Sequence, residues 1–162
     1  MTPIHLAAWY GLTQSVERLK DKYDSPIDNI ETLNGRNPIH FAAMNGHLEI
    51  VKVLAKFADV PNAPDDNGTT PINYAAMDGN LEIVEFLTKL TDYPNAPNNY
   101  GNTPIHYAAW DGNLEIVEFL SKFTDDPNEP DNSGLTLEAM KIAKYRGHTQ
   151  IVKYLEEYAS TN

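Results

Sequence analysis

An all-α solenoid of stacked helix pairs, with β-turn or hairpin loops projecting from one edge, is the fold predicted for this chain of 162 residues. Three observations predict it. A motif recurs every 33 residues, beginning at Asn37, Thr70 and Thr103, and a fixed period of that length signals a repeat array. Each copy reads as two short helices separated by a glycine. A pair of adjacent alanines recurs at the same place in each, small enough to let neighbouring copies approach closely.

Taken in order, the first copy is Thr2-Pro3-Ile4-His5-Leu6-Ala7-Ala8, and it lies 35 residues before the second, so the loop that follows it carries two extra residues. The second is Asn37-Pro38-Ile39-His40-Phe41-Ala42-Ala43. The third shows the local logic best. Thr70 is a good N-cap, and Pro71 sits at the first helical position, where its missing N–H costs nothing. Gly79 stops that helix in the left-handed conformation, and Asn80 is placed to cap the next. Ile83, Phe86, Leu87 and Leu90 then follow the i, i+3, i+4, i+7 spacing of one apolar face. The segment 91–102, rich in Pro, Asn and Asp, cannot continue a helix and is read as a turn or short hairpin. Thr103 to Ala109 opens the fourth copy, and a degenerate fifth begins at Thr136 and reaches its glycine at Gly147. One domain over 1–162 is expected, with repeats near 1–33, 34–66, 67–99, 100–132 and 133–162. No helix pair this short stands alone; stacking supplies the core.

These residues resemble the ankyrin repeat: a Thr-Pro-Ile-His-x-Ala-Ala opening, a glycine, then an Ile-Val-x-x-Leu second helix, in register across the chain. The closing segments depart from the family pattern. They run Ala58-Asp59-Val60-Pro61-Asn62-Ala63 and Thr91-Asp92-Tyr93-Pro94-Asn95-Ala96, without the usual glycine. The resemblance implies an L-shaped stack whose hairpins and first helices line a concave face. It also implies that Asn62, Asn95 and Asn128 occupy the loop asparagine that is hydroxylated in some members. Both ends read as polar caps: Ser15 and Arg18 stand where later copies carry Ile83 and Phe86, and Lys144 replaces the second alanine of the pair. The alternative is that the outer copies are eroded internal repeats of a longer array.

Composition narrows the function. Apolar residues make up 41% of the chain, as in globular proteins. The formal net charge of −11 argues against nucleic acid and anionic membrane as partners, because both repel such a surface. The chain has no cysteine, which removes disulfides and thiol chemistry and fits a reducing, intracellular compartment. No apolar run approaches the length of a membrane span.

The chemical motifs that a catalyst or metal site needs are not found. His5, His40 and His106 belong to the repeat motif, where an imidazole bonds the capping residue and neighbouring backbone, and Asn73 takes their place in the third copy. A hydrogen-bonding role tolerates that exchange; metal ligation does not. His47 and His148 align with Asn80 and Asn113 and read as second-helix caps. Asp65-Asp66 and Asp125-Asp126, with Asp131 beyond, read as solvated loop charge. No cofactor is expected.

The column two residues before each helix-ending glycine is Trp9, Met44, Met77, Trp110 and Tyr145, and the next is Tyr10, Asn45, Asp78, Asp111 and Arg146. By resemblance this column lies on the concave side, used for partner contact. Large rigid or polarizable side chains gain most from losing water at an interface. The hairpin tips add Arg36, Thr69 and Tyr100. The competing reading is that the column packs against the hairpins as framework. The expected function is a non-catalytic protein–protein interaction module. Its partner is a protein or peptide with apolar residues and interspersed Lys or Arg, drawn by Asp78 and Asp111. The alternative is a self-contained structural or engineered scaffold with no dedicated ligand. A monomer is expected, since no self-complementary patch is visible.

Overall fold

The computed structural model describes residues 1–23, 25–123 and 138–161. Among these residues five helix pairs follow one another: α1 (Pro3–Trp9) with α2 (Thr13–Leu19), α3 (Pro38–Met44) with α4 (Leu48–Ala55), and α5 (Pro71–Met77) with α6 (Leu81–Thr88). Next come α7 (Pro104–Asp111) with α8 (Leu114–Leu120), and α9 (Glu138–Arg146) with α10 (Thr149–Thr161). Short 3-10 turns at Lys20–Lys22 and Ser121–Phe123 prolong α2 and α8, and another at Ile27–Asn29 takes up the longer first loop. The odd-numbered helices pack in one row and the even-numbered helices in a second. The described residues contain no strand. The all-α solenoid is the observed architecture.

One cluster of buried apolar side chains runs the length of the stack, from Ile4 in α1 to Leu155 in α10. Its first-helix part holds Ile4, Ile39, Ile72 and Ile105 together with the alanine pairs, none more than 3% exposed, whose small side chains allow the close spacing of the row. Ile50, Val51 and Leu54, then Ile83, Val84 and Leu87, then Ile116, Val117 and Leu120 fill the space behind them. Leu90 departs from the expected apolar face. It lies beyond the end of α6 in a turn closed by its N–H on the Leu87 carbonyl, and it is 43% exposed.

Polar side chains join each pair to the next. Thr70 and Pro71 occupy the expected cap and first positions of α5, and Gly79 adopts φ 76°. Asn80 does occupy the N-cap position of α6, but its side chain makes no cap hydrogen bond. Its Nδ2 donates instead to the Ala43 carbonyl of the preceding pair, 3.2 Å away. Asn113 Nδ2 reaches the Ala76 and Met77 carbonyls, His47 Nε2 the Trp9 carbonyl at 3.1 Å, and His148 Nε2 the Trp110 carbonyl at 3.0 Å. These carbonyls lie in the last turn of the first helix, where the regular i+4 donors run out; the neighbouring repeat supplies a side-chain donor. Gly79 is needed on both counts. Its left-handed φ disfavours any side chain, and a Cβ there would sit 2.9 Å from Asn113 Oδ1.

The projecting loops close as turns. The Gly68 N–H donates to the Asp65 carbonyl and the Asp65 N–H to the Thr69 carbonyl. Backbone bonds from Asp66 to the Asn34 carbonyl and from Asn99 to the Asn67 carbonyl tie neighbouring turns together.

The solvated reading of Asp65 is corrected here. Its side chain is fully buried, with Oδ1 accepting from the Asn67 and Thr69 N–H groups. Oδ2 accepts from Arg36 Nε at 3.2 Å and from the Tyr74 hydroxyl at 3.0 Å. Burial first, and then the bond to this carboxylate, raise the Tyr74 phenol well above its ordinary range. Asp66, beside it, is exposed as expected. Ser15 is half-buried, while Arg18 and Lys144 are exposed. The expected start of the fifth copy at Thr136, together with Asn128, Asp125, Asp126 and Asp131, lies outside the described residues.

Candidate functional site

The motif histidines explain why the first helices stand where they do. In α1 the Thr2 N–H donates to His5 Nδ1, which fixes the proton on Nε2, and Nε2 donates to the Arg36 carbonyl at 3.1 Å. In α3 the Asn37 N–H donates to His40 Nδ1, and Nε2 reaches the Thr69 carbonyl at 3.1 Å. Each ring thus caps its own helix and bonds the end of the following loop. Burial drives His40 down to about 4 and lowers His5 as well, which favours the neutral ring in both. Asn73 keeps half of this arrangement. Its Oδ1 accepts from the Thr70 N–H and hydroxyl, but Nδ2 is buried without a partner, because the amide is too short to reach the next loop. These are structural positions.

With the first helices so fixed, their last turns open along one side. A groove of about 690 Å³ lies where α5, α7 and α9 meet. Met77, Tyr107, Trp110 and Ile142 give its apolar lining, and Asp78, Asp111 and Glu138 its acidic one; Asn102, His106 and Asn113 complete the wall. Asp78 and Asp111 are exposed, and neither forms an ion pair among the described residues. Burial, and then the charge of Asp111, raise the Asp78 carboxyl above its usual range. Two carboxylates that repel each other beside an apolar lining favour a cation bound with a hydrophobic body.

The groove thus unites four sequence-predicted residues: Met77, Asp78, Trp110 and Asp111. Trp110 is 45% exposed, and the Arg146 guanidinium lies 4.9 Å from its ring centroid while Arg146 Nε donates to its carbonyl. The other predicted residues stand apart from it. Trp9 leans on Phe41 with ring centroids 5.6 Å apart, Tyr10 is exposed, and Met44 is half-buried. Asn45 Nδ2 donates to the Phe41 carbonyl, and Tyr145 is exposed but outside the groove lining. Tyr100 stands at a loop tip with its hydroxyl on Asn67 Oδ1. Arg36 is held by Asp65 rather than presented at a tip, and Thr69 is buried.

Sequence reasoning missed Tyr107, Glu138 and Ile142. Their signal was available in the spacing: Tyr107 precedes Trp110 by three residues, one helical turn, and Ile142 aligns with it in the fifth copy. Asn62, buried, accepts the Ile72 N–H on its side-chain oxygen, and half-buried Asn95 donates to the Leu120 carbonyl. Among the described residues no three His, Asp or Glu side chains converge as a metal would require, and no helix is long and apolar enough to cross a membrane.

Comparison with known proteins gives the same architecture. The family model of ankyrin repeats (3 copies) matches residues 4–98 and, overlapping them, 58–131. A stretch of 56 residues is 41% identical to human transient receptor potential cation channel subfamily A member 1; it covers 34% of this chain and 5% of the channel. With a stacked row of helix pairs, interlocked loops and this match along most of its length, the chain belongs to the ankyrin repeat family.

Proposed function

We propose that this chain is a non-catalytic binding module that holds an apolar, basic segment of a partner protein in the groove between α5, α7 and α9. One observation carries the reading: Met77, Trp110 and Ile142 lie beside Asp78 and Asp111, two carboxylates without an ion pair among the described residues, in one preformed depression. An apolar side chain fills the lined part, and a Lys or Arg meets the carboxylates. Because the helices are already packed, little order is lost on binding.

Panning a displayed random-peptide library on the immobilised chain tests this. Enriched peptides are expected to combine Leu-, Phe- or Met-type residues with Lys or Arg, and Trp110→Ala is expected to weaken them by about 2 kcal/mol or more. A loss below about 0.5 kcal/mol in a folded variant, or enrichment of acidic peptides, contradicts the proposal.

A further inference from the structure

The ends of the second helices carry a second regular row. Where α4, α6 and α8 end, the chain reads Lys56-Phe57, Lys89-Leu90 and Lys122-Phe123. The three apolar side chains are 38%, 43% and 46% exposed, and the three lysines are exposed as well. Among the described residues none of these lysines has a carboxylate within 4.0 Å; the ion pairs there involve Lys20, Arg36, Lys52, Lys141 and Lys153. In a chain with 23 acidic and 12 basic residues, three exposed lysines in register beside exposed apolar groups form a distinct surface, although Lys122 lies 5.9 Å from the Phe119 ring centroid and Phe57 carries Lys20 at 4.3 Å.

The row has the chemistry the groove calls for, at the groove's own spacing. Lys89 and Lys122 belong to the same repeats as Asp78 and Asp111, and Leu90 and Phe123 to the same repeats as Met77 and Trp110. Along the stack, Lys89 and Lys122 are therefore one repeat apart, as Asp78 and Asp111 are, and Leu90 and Phe123 share that step with Met77 and Trp110. Asp59 and Asp92, exposed three residues beyond Lys56 and Lys89, border the row.

We infer that the occupant of the Lys–Phe row is the acidic groove of a second copy of this chain, in a head-to-tail stack. Such a contact is heterologous: it leaves one groove and one row free at the two ends, so association is open-ended. The net charge of −11 opposes it at long range, and near-physiological salt, with a screening length of about 8 Å, removes most of that opposition while sparing close contacts. The inference rests on the groove as an acceptor of apolar, basic groups, and it replaces the monomer expected from sequence.

Sedimentation equilibrium of the full chain at about 0.15 M salt tests it. The wild-type mass is expected to rise with concentration above 18.1 kDa. Lys89→Glu/Lys122→Glu and Asp78→Lys/Asp111→Lys chains are each expected to weaken self-association tenfold or more. Mixing these two chains is expected to restore association, since the reversed row of one fits the reversed groove of the other. A wild-type mass constant with concentration, a row variant that associates like wild type, or a mixture that stays apart overturns the inference. Lysine-dependent binding to phosphatidylserine vesicles without self-association also overturns it, and assigns the row to a membrane surface. The Lys89→Glu/Lys122→Glu chain is expected to bind panned peptides at least as tightly as wild type, because its groove no longer competes for a second copy. Loss of peptide binding with self-association intact contradicts the proposed function alone.

Discussion

At position 73 an asparagine stands in a row of histidines, and the exchange isolates what the imidazole contributes. His5 and His40 place a hydrogen-bond acceptor on their own helix and a donor on the next loop, whereas Asn73 supplies only the acceptor. A buried donor without a partner costs free energy. Asn73→His is therefore expected to stabilise the chain by about 1 kcal/mol in urea unfolding, and a loss of stability contradicts the account. His40 sets a pH dependence of definite sign. Its folded value near 4 lies below the ordinary 6.5, so both states are neutral above pH 6.5 and only the unfolded chain gains a proton as pH falls. Stability attributable to this ring drops by about 2 kcal/mol between pH 7 and pH 5, with His5 acting in the same direction. In His40→Asn the drop is expected to shrink by that amount.

Among the elements, the turns show how sequence and burial interact. Asp65 beside Asp66 gives no sign in sequence that one is buried and the other exposed. The difference comes from Arg36 and Tyr74, 29 and 9 residues away, which converge on the first. The next turn rebuilds the same junction without charge: Asn98 Nδ2 meets the Tyr107 hydroxyl at 2.9 Å and Thr69 Oγ1 at 3.3 Å. The two sets fill equivalent places, with Arg–Asp–Tyr in one and Thr–Asn–Tyr in the other. Arg36→Thr alone is expected to cost about 3 kcal/mol because it strands a buried carboxylate. Adding Asp65→Asn is expected to recover at least about 1 kcal/mol in a double-mutant cycle. Additive losses contradict the coupling.

The helices themselves were legible because each carries its own instructions. Thr70-Pro71 starts one, Gly79 stops it, and the Ile83, Val84 and Leu87 pattern gives the next its buried face. What could not be read was any contact made between copies. Asn80 looks like a cap when seen within its own repeat, and becomes a linker only once the Ala43 carbonyl lies beside it. Asp28 likewise accepts the Asp59 and Val60 N–H groups across the junction of the first two pairs, from an irregular loop with no periodic signal. The groove was half legible for the same reason. Met77, Asp78, Trp110 and Asp111 stand out as columns, while Glu138 and Ile142 belong to a degenerate copy whose register is harder to see.

For the whole molecule, identical units on a fixed pitch turn single residues into rows, and the sign of each row decides what it meets. The acidic, apolar row opens into the groove, and the basic, apolar row lies where the second helices end. Amide and methyl shifts of the labelled chain, recorded as a panned peptide is added, test the central claim most directly. Perturbations are expected at the Met77 methyl, the Trp110 indole and the Ile142 methyl, and they are expected to fade as pH falls through the raised range of the Asp78 carboxyl. Perturbations gathered instead around Phe57 and Leu90, or at the loop tips near Tyr100, would contradict it.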